Sequence, residues 1–163
     1  MSVADLRSKK QPPRRSDSGR SLRARALAAL ARREYSRREL EAKLTAFTED
    51  PAEIPALLDD FERRGWLSEQ RVAEQVMATR RKRFGSQKIV HEMRQKGLSE
   101  EAIAGAREAL KDSELESARE VWRRKFPEPP ANANEKARQM RFLQGRGFSL
   151  DTIRKVISGA DDD

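Results

Sequence analysis

MRQKGLSEEAI at residues 93–103 and LQGRGFSLDTI at residues 143–153 share one pattern, in which Gly, an apolar residue and Ser precede an Ile at fixed spacing. The glycine stands where one helix ends, and the serine stands where the next begins. Leu44 and Ile54 have the same ten-residue separation, and the three copies start 49 and then 50 residues apart. A period of about 50 residues predicts a stacked helical array with about three helices in each unit.

The segments around this repeat have helical spacing of apolar residues and no strand-like alternation. Predicted helix starts are marked by four capping boxes: Ser36-x-x-Glu39, Asp50-Pro51-x-Glu53, Ser113-x-x-Glu116 and Asn132-x-x-Glu135. Predicted helix stops are marked by Gly65, Gly85 and Gly97. We therefore predict helices near residues 21–33, 37–46, 51–64, 69–83, 87–96, 100–110, 114–125, 134–145 and 150–158.

The predicted architecture is all-α, with three tandem three-helix repeats that form an elongated, curved array. The predicted repeats cover residues 21–66, 67–111 and 112–159. Composition predicts disorder at both ends, in a basic tail at 1–20 and an acidic tail at 160–163.

The chain has 163 residues, with 35 Lys and Arg against 27 Asp and Glu, which gives a net charge of +8. A basic excess indicates an anionic partner. No apolar run approaches the ~20 residues of a membrane span. The basic start has no apolar segment typical of a secretory signal, so we expect a cytoplasmic protein without membrane contact. No heptad seam is visible, which makes a monomer the default.

Several kinds of chemistry are excluded by composition. The chain has no Cys and one His, His91, so disulfides, thiolate nucleophiles and His-pair metal sites are ruled out. The eight glycines are scattered and form no phosphate-binding loop. We therefore predict no catalytic residue, no metal and no cofactor, although a site made only of Asp and Glu is left open by composition.

Basic residues recur at comparable places in the repeats, where they are candidate contacts for a phosphate backbone or an acidic protein surface. The competing interpretation is that some of them complement helix C-terminal dipoles. Six aromatic residues are expected to fill the core rather than stack on bases: Trp66, Phe84, Trp122, Phe126, Phe142 and Phe148. Tyr35 lies between two arginines near a turn and is kept as a candidate contact.

Five segments together carry a specific resemblance. They are ALAALARREYSRRELEAKL at 26–44, LLDDFERRGWLSEQRVA at 57–73, RFGSQKI at 83–89, MRQKG at 93–97 and FLQGRGF at 142–148. Their order and spacing resemble the bacterial RecX family from about residue 22 to residue 158. The chain departs from the usual pattern at Ser68, Met93 and Gln144.

The resemblance implies a non-enzymatic regulator of RecA, the strand-exchange recombinase, in DNA repair, recombination and the SOS response. Such proteins bind along the groove of the RecA–DNA filament and usually inhibit filament growth, ATP hydrolysis and strand exchange. The resemblance implies that the partners of this chain are the RecA filament and single-stranded DNA, with double-stranded DNA as a further candidate. The alternatives are a plain DNA-binding protein without sequence preference and a helical scaffold for another acidic protein.

Thirteen positions are the predicted contacts with RecA or DNA. They are Arg32, Arg33, Tyr35, Arg37, Lys43, Arg81, Arg83, Lys88, Arg94, Lys96, Arg124, Arg141 and Arg146.

Overall fold

The computed structural model describes residues 21–159, and every element of regular structure in that range is an α-helix. The predicted all-α class is therefore confirmed, while both predicted tails lie outside the described residues. The helices are α1 (Leu22–Leu30), α2 (Arg37–Thr45), α3 (Glu53–Arg63), α4 (Glu69–Arg80), α5 (Ser86–Gln95), α6 (Glu100–Lys125), α7 (Ala133–Gly145) and α8 (Leu150–Ser158).

The chain divides into two compact units, unit 1 up to Leu67 and unit 2 from Ser68 onward. Unit 1 holds α1 to α3 around one core, in which Leu40, Leu58 and Phe61 are fully buried. The predicted capping box starts α2, because the Ser36 hydroxyl accepts from the Glu39 N–H at 3.1 Å and the Glu39 carboxylate accepts from the Ser36 N–H at 3.0 Å.

Unit 2 holds α4 to α8 around two cores that share α6. The first half of α6 buries Ile103 and Leu110 among residues of α4 and α5, and the second half buries Ala118 and Val121 among residues of α7 and α8. The six positions that mark the repeat are all at most 1% exposed: Leu44, Ile54, Met93, Ile103, Leu143 and Ile153. The boundaries between the three repeats stay a prediction.

The predicted helix start at Ser113 is wrong, because α6 runs without a break through residues 111–113. The Glu114 carboxylate points away from its own backbone and accepts from the Ser86 N–H at 3.4 Å and the Ser86 hydroxyl at 3.1 Å. The Ser113 hydroxyl donates to the Leu110 carbonyl at 3.4 Å, which is compatible with an uninterrupted helix. Glu114 thus caps the start of α5, while Glu116, the predicted partner of Ser113, accepts from the Arg119 guanidinium at 3.3 Å.

Two other predicted boxes do not form as reciprocal pairs, although Asn132 is the N-cap of α7 and α3 starts within three residues of Asp50. The Asn132 side chain accepts from the Glu135 N–H at 2.9 Å, but the Glu135 carboxylate accepts from Ala131 rather than from Asn132. Asp50 accepts from the Ala52 N–H at 3.1 Å in the turn before α3, whose N-cap carries no side-chain bond. At Asn132 one partner moves by one residue. At Asp50 neither predicted bond forms, and the Glu53 carboxylate accepts from the Thr48 hydroxyl at 3.4 Å.

The predicted helix stops at Gly65 and Gly97 are confirmed by their left-handed backbone, with φ of 74° and 81°. The predicted stop at Gly85 is wrong, because this residue has φ of −83° and precedes α5. Its N–H donates to the Arg146 carbonyl at 2.8 Å, and a Cβ there would lie 2.5 Å from backbone atoms of Gly147. Gly85 is therefore required by a close backbone approach between two loops of unit 2.

Candidate anion-binding cleft

Positive charge is distributed unevenly between the two units. Residues 21–67 of unit 1 contain nine Lys and Arg and nine Asp and Glu, so their net charge is zero. Residues 68–159 of unit 2 contain 20 Lys and Arg against 13 Asp and Glu, an excess of seven positive charges. The electrostatic attraction of the described part of the chain for an anion therefore comes from unit 2.

Five of these cations line a single cleft of about 320 Å³ in unit 2. Its lining residues, which define what we call the basic cleft, are Lys82, Arg83, Val121, Arg124, Lys125, Phe142 and Arg146. Lys82 and Arg83 follow the last residue of α4, Arg124 and Lys125 are the last two residues of α6, and Arg146 is the C-cap residue of α7. The cleft therefore lies where three helices end. No carboxylate is among its lining residues.

The competing explanation for these cations is that they complement helix dipoles. A helix C-terminus carries about half a negative charge, so three of them amount to about −1.5. Five full positive charges exceed that value more than threefold. The basic cleft therefore keeps a net positive charge after the helix ends are taken into account.

Arg146 is held in place from two directions. Its carbonyl accepts the 2.8 Å hydrogen bond from Gly85, which fixes the backbone. Its guanidinium lies 5.4 Å from the ring centre of Phe84 and 5.3 Å from that of Phe142. Lys125 lies 5.7 Å from the same Phe142 ring. These cation–π contacts stabilise the charged side chains without neutralising them.

The cations of the basic cleft have no ion-pair partner in the described part of the chain, since no Asp or Glu oxygen there lies within 4.0 Å of them. Elsewhere in unit 2, Arg94 donates to both carboxylate oxygens of Glu100, at 3.1 and 3.2 Å. That pairing raises the pKa of Arg94 and lowers the pKa of Glu100. An incoming anion therefore meets less competition in the basic cleft than at Arg94.

The structure gathers only some of the predicted contact residues of unit 2. Arg83, Arg124 and Arg146 line the basic cleft. Lys88 does not line it, but its ammonium lies 5.1 Å from the ring centre of Phe84, the ring that the Arg146 guanidinium also contacts. The other four are not among its lining residues: Arg81 and Arg141 are exposed, Arg94 is ion-paired and Lys96 is half-buried.

The predicted contact residues of unit 1 are engaged in different ways. Arg33 lies 3.6 Å from the ring centre of Tyr35 and pairs with Glu39 at 3.1 Å, so one face of the tyrosine is covered. Arg37 bridges Asp59 at 2.6 Å and Glu62 at 3.1 Å. Its hydrogen bond to Asp59 raises the pKa of Arg37. Two further predicted contacts are exposed on the surface of unit 1: Arg32 and Lys43.

Sequence reasoning left Lys82 and Lys125 out of the predicted contact residues. Both line the basic cleft, and each directly adjoins a predicted contact in a basic run. The signal that could have found them is the run itself, because two short runs at the ends of α4 and α6 supply four of the five cations.

The aromatic residues follow the prediction of core packing in part. Phe148 is 1% exposed, and the Trp122 indole donates to Gln139 at 2.8 Å. Trp66 contacts the Phe61 ring edge-on at 5.3 Å but is 38% exposed. Phe84 and Phe142 are half-buried. The Arg146 guanidinium contacts both rings, and the Lys88 ammonium contacts Phe84.

Two further observations concern residues 21–159. No group of three His, Asp or Glu side chains in this range is placed to hold a metal ion. No helix in this range is both long enough and apolar enough to cross a membrane.

Helices grouped around three separate cores are typical of helical-repeat proteins, and this is the class that the fold defines. The family model described as "RecX, second three-helix domain" matches residues 68–106, and the model described as "RecX, third three-helix domain" matches residues 112–157. The chain belongs to the RecX family of regulatory proteins.

Individual relatives agree with this assignment. The protein named Regulatory protein RecX from Leptothrix cholodnii is 51% identical over 141 residues, which cover 86% of this chain and 90% of the relative. Its namesake from Chromobacterium violaceum is 47% identical, with 89% and 94% covered. The crystal structure of RecX from Lactobacillus salivarius has the same fold, with a TM-score of 0.75 at 19% identity over 98% of this chain and 99% of that chain.

Proposed function

We propose that this RecX-family protein regulates the RecA recombinase by docking on the RecA–DNA filament, and that its effect is inhibition. The inhibited steps would be filament growth, ATP hydrolysis and strand exchange, in the setting of recombination and the SOS response. The protein acts by binding and not by catalysis. Its place is the cytoplasm, where its proposed partners are found.

The observation that carries this proposal is the basic cleft of a RecX-family chain. A RecA–DNA filament presents phosphates to a docking protein, and five cations without carboxylate partners in the described residues are complementary to them. Unit 1 has no net charge over its described residues, so contacts of a different kind are expected from it. Two units that bind one filament gain affinity through effective concentration, even when each contact is weak.

The experiment that tests the proposal is a titration of RecA's ATPase activity on single-stranded DNA, at ~150 mM salt, with a parallel assay of binding to DNA alone. We expect the ATPase rate to fall at protein concentrations too low to coat the DNA. An unchanged rate and unchanged filament disassembly at stoichiometric excess would contradict the proposal.

A plain DNA-binding protein is the second candidate, and the basic cleft favours it because the cleft needs no protein partner to attract a phosphate. Binding dominated by phosphates weakens steeply between ~50 and ~200 mM salt. Inhibition that appears only where the protein already saturates bare DNA would favour this candidate. Filament binding retained at the higher salt would count against it.

A further inference from the structure

We infer that the basic cleft binds the sugar–phosphate backbone of nucleic acid without reading the bases, and that Arg146 is its fixed anchor. This inference rests on the proposed function, since it assigns the DNA contact of that regulator to one site in unit 2. It also makes a statement about the protein alone, because the cleft would bind DNA in the absence of RecA.

The first argument is the number and the state of the charges. Five cations border one cleft, none has a carboxylate partner within the described residues, and no acidic residue lines the site. These cations can therefore replace several counterions condensed on a polyanion that enters the cleft, and the release of those counterions is the main source of affinity in non-specific binding to nucleic acid.

The second argument is preorganisation. Arg146 has its carbonyl bonded to Gly85 and its guanidinium beside Phe84 and Phe142, so less side-chain entropy is lost when it binds. A guanidinium offers a planar fork of donors that matches two phosphate oxygens. Arg83 and Arg124 provide two more such groups on the border of the same cleft.

The third argument concerns the rings. Phe142 is contacted by the charged groups of Arg146 and Lys125, and Phe84 by those of Arg146 and Lys88. A base that stacked on either ring would have to displace these cations. The cleft therefore offers charge to a phosphate rather than an open aromatic face to a base, and binding is expected to be insensitive to sequence.

The test compares two double variants of the full-length chain that remove the same charges. Lys82→Ala with Arg124→Ala removes two of the five cations that line the cleft. Lys136→Ala with Arg154→Ala removes two exposed cations of unit 2 that do not line it. The probe is a fluorescent 30-nucleotide oligo(dT), and anisotropy is measured from 50 to 300 mM NaCl, with a duplex of equal length in a parallel arm.

Loss of two phosphate contacts lowers the magnitude of the salt slope by about 1.4 for single-stranded DNA, because each contact contributes about 0.7. At ~0.1 M salt this corresponds to an affinity loss of about 25-fold. We expect that loss for the cleft variant and less than about a threefold loss for the control. Equal losses for the two double variants would overturn the inference.

Arg146→Lys keeps the charge but removes the guanidinium fork. We expect the salt slope to stay unchanged while affinity falls several-fold. Wild-type affinity in this variant would overturn the role of Arg146 as anchor. Helical circular dichroism and thermal melting of each variant show whether it is folded, so loss of structure is not mistaken for loss of a contact.

Two further arms test the chemistry of the ligand. Oligo(dT), oligo(dA) and mixed sequences are expected to bind within about twofold of one another, and a preference above tenfold would overturn base-independent binding. Poly-glutamate is expected to compete poorly with the labelled oligo(dT) when it is added at the same concentration of charges as unlabelled oligo(dT). Competition as strong as that of unlabelled oligo(dT) would overturn the nucleic-acid assignment in favour of an acidic protein surface. The oligo(dT) and duplex arms show which form of backbone is preferred.

The same variants in the RecA ATPase assay separate the two proposals. Inhibition of RecA by the wild type, with no specific effect of the cleft variant on DNA binding, would overturn the cleft assignment and leave the proposed function in place. A cleft-specific loss of DNA binding in a protein that never affects RecA would support the cleft and contradict the proposed function.

Discussion

Gly85→Ala tests the close approach on which the basic cleft depends. The added Cβ would lie 2.5 Å from three backbone atoms, the Gly147 carbonyl carbon and oxygen and the Phe148 nitrogen. Backbone atoms cannot rotate away as a side chain does, so the two loops must separate. The φ of −83° is acceptable for alanine, so the cost comes from the contact and not from the backbone conformation of residue 85.

The magnitude follows from two contributions. Overpacking of a tight contact costs about 1–3 kcal/mol. Separation of the loops also weakens two hydrogen bonds, from Gly85 N–H to the Arg146 carbonyl at 2.8 Å and from Gln87 N–H to the Gly147 carbonyl at 3.1 Å. Each such bond contributes about 0.5–1.5 kcal/mol. We therefore expect Gly85→Ala to lower the free energy of unfolding of unit 2 by at least about 2 kcal/mol.

The matched control is Gly105→Ala, which adds the same methyl group inside α6 with no neighbouring atom within 4 Å. A glycine inside a helix is less stable than alanine by about 0.5–1 kcal/mol, so this variant is expected to be more stable than the wild type. The assay is urea unfolding followed by Trp122 fluorescence in a Trp66→Phe background, so that only unit 2 is observed. Equal unfolding midpoints for the two variants, or a stabilised Gly85→Ala, would refute the close approach.

Three further predictions concern ion pairs and caps. Hydrogen bonds from its arginine partners, Arg23 first, lower the pKa of Asp60. This pairing therefore stabilises unit 1 above the unfolded pKa of ~3.9, and the stabilisation is lost on acidification. Asp60→Asn should flatten the acid side of a plot of unfolding free energy against pH, followed by Trp66 fluorescence, and an unchanged plot would contradict this. Glu114→Ala removes the cap of α5 and should destabilise unit 2 by ~1 kcal/mol in urea unfolding, whereas unchanged stability would show that the cap contributes nothing. Arg37→Gln breaks a half-exposed ion-pair bridge and should cost less than ~1 kcal/mol while leaving oligo(dT) affinity unchanged. A tenfold loss of affinity would contradict this expectation and support Arg37 as a DNA contact.

Local signals predicted most of the fold. The Ser36 capping box and the glycines at 65 and 97 act within a few residues of themselves, so their sequence patterns were sufficient to place helix ends. The repeated pairs at a spacing of ten residues marked positions that are all fully buried, because one apolar position on each side of a turn must face the core.

The wrong prediction at Gly85 and the unpredicted cap at Glu114 both involve partners that are distant in sequence. Gly85 is required by a loop about 60 residues later in the chain, and Glu114 caps a helix that starts 28 residues before it. Local sequence shows a glycine and an acidic residue of ordinary type at these places. Only the packed arrangement shows which backbone each one contacts.

The site was predictable as a set of basic runs but not as a cleft, because sequence does not show which cations are already neutralised. Arg37 and Arg94 look like Arg83 and Arg124 in sequence, yet the first two donate to carboxylates at 3.2 Å or less. The other two border the cleft without an acidic partner among the described residues. A paired cation must lose its carboxylate before it can bind a phosphate, whereas an unpaired one loses only water. What attracts a polyanion is therefore the number of cations that the fold leaves without an acidic partner, and in the described part of unit 2 five such cations border one cleft.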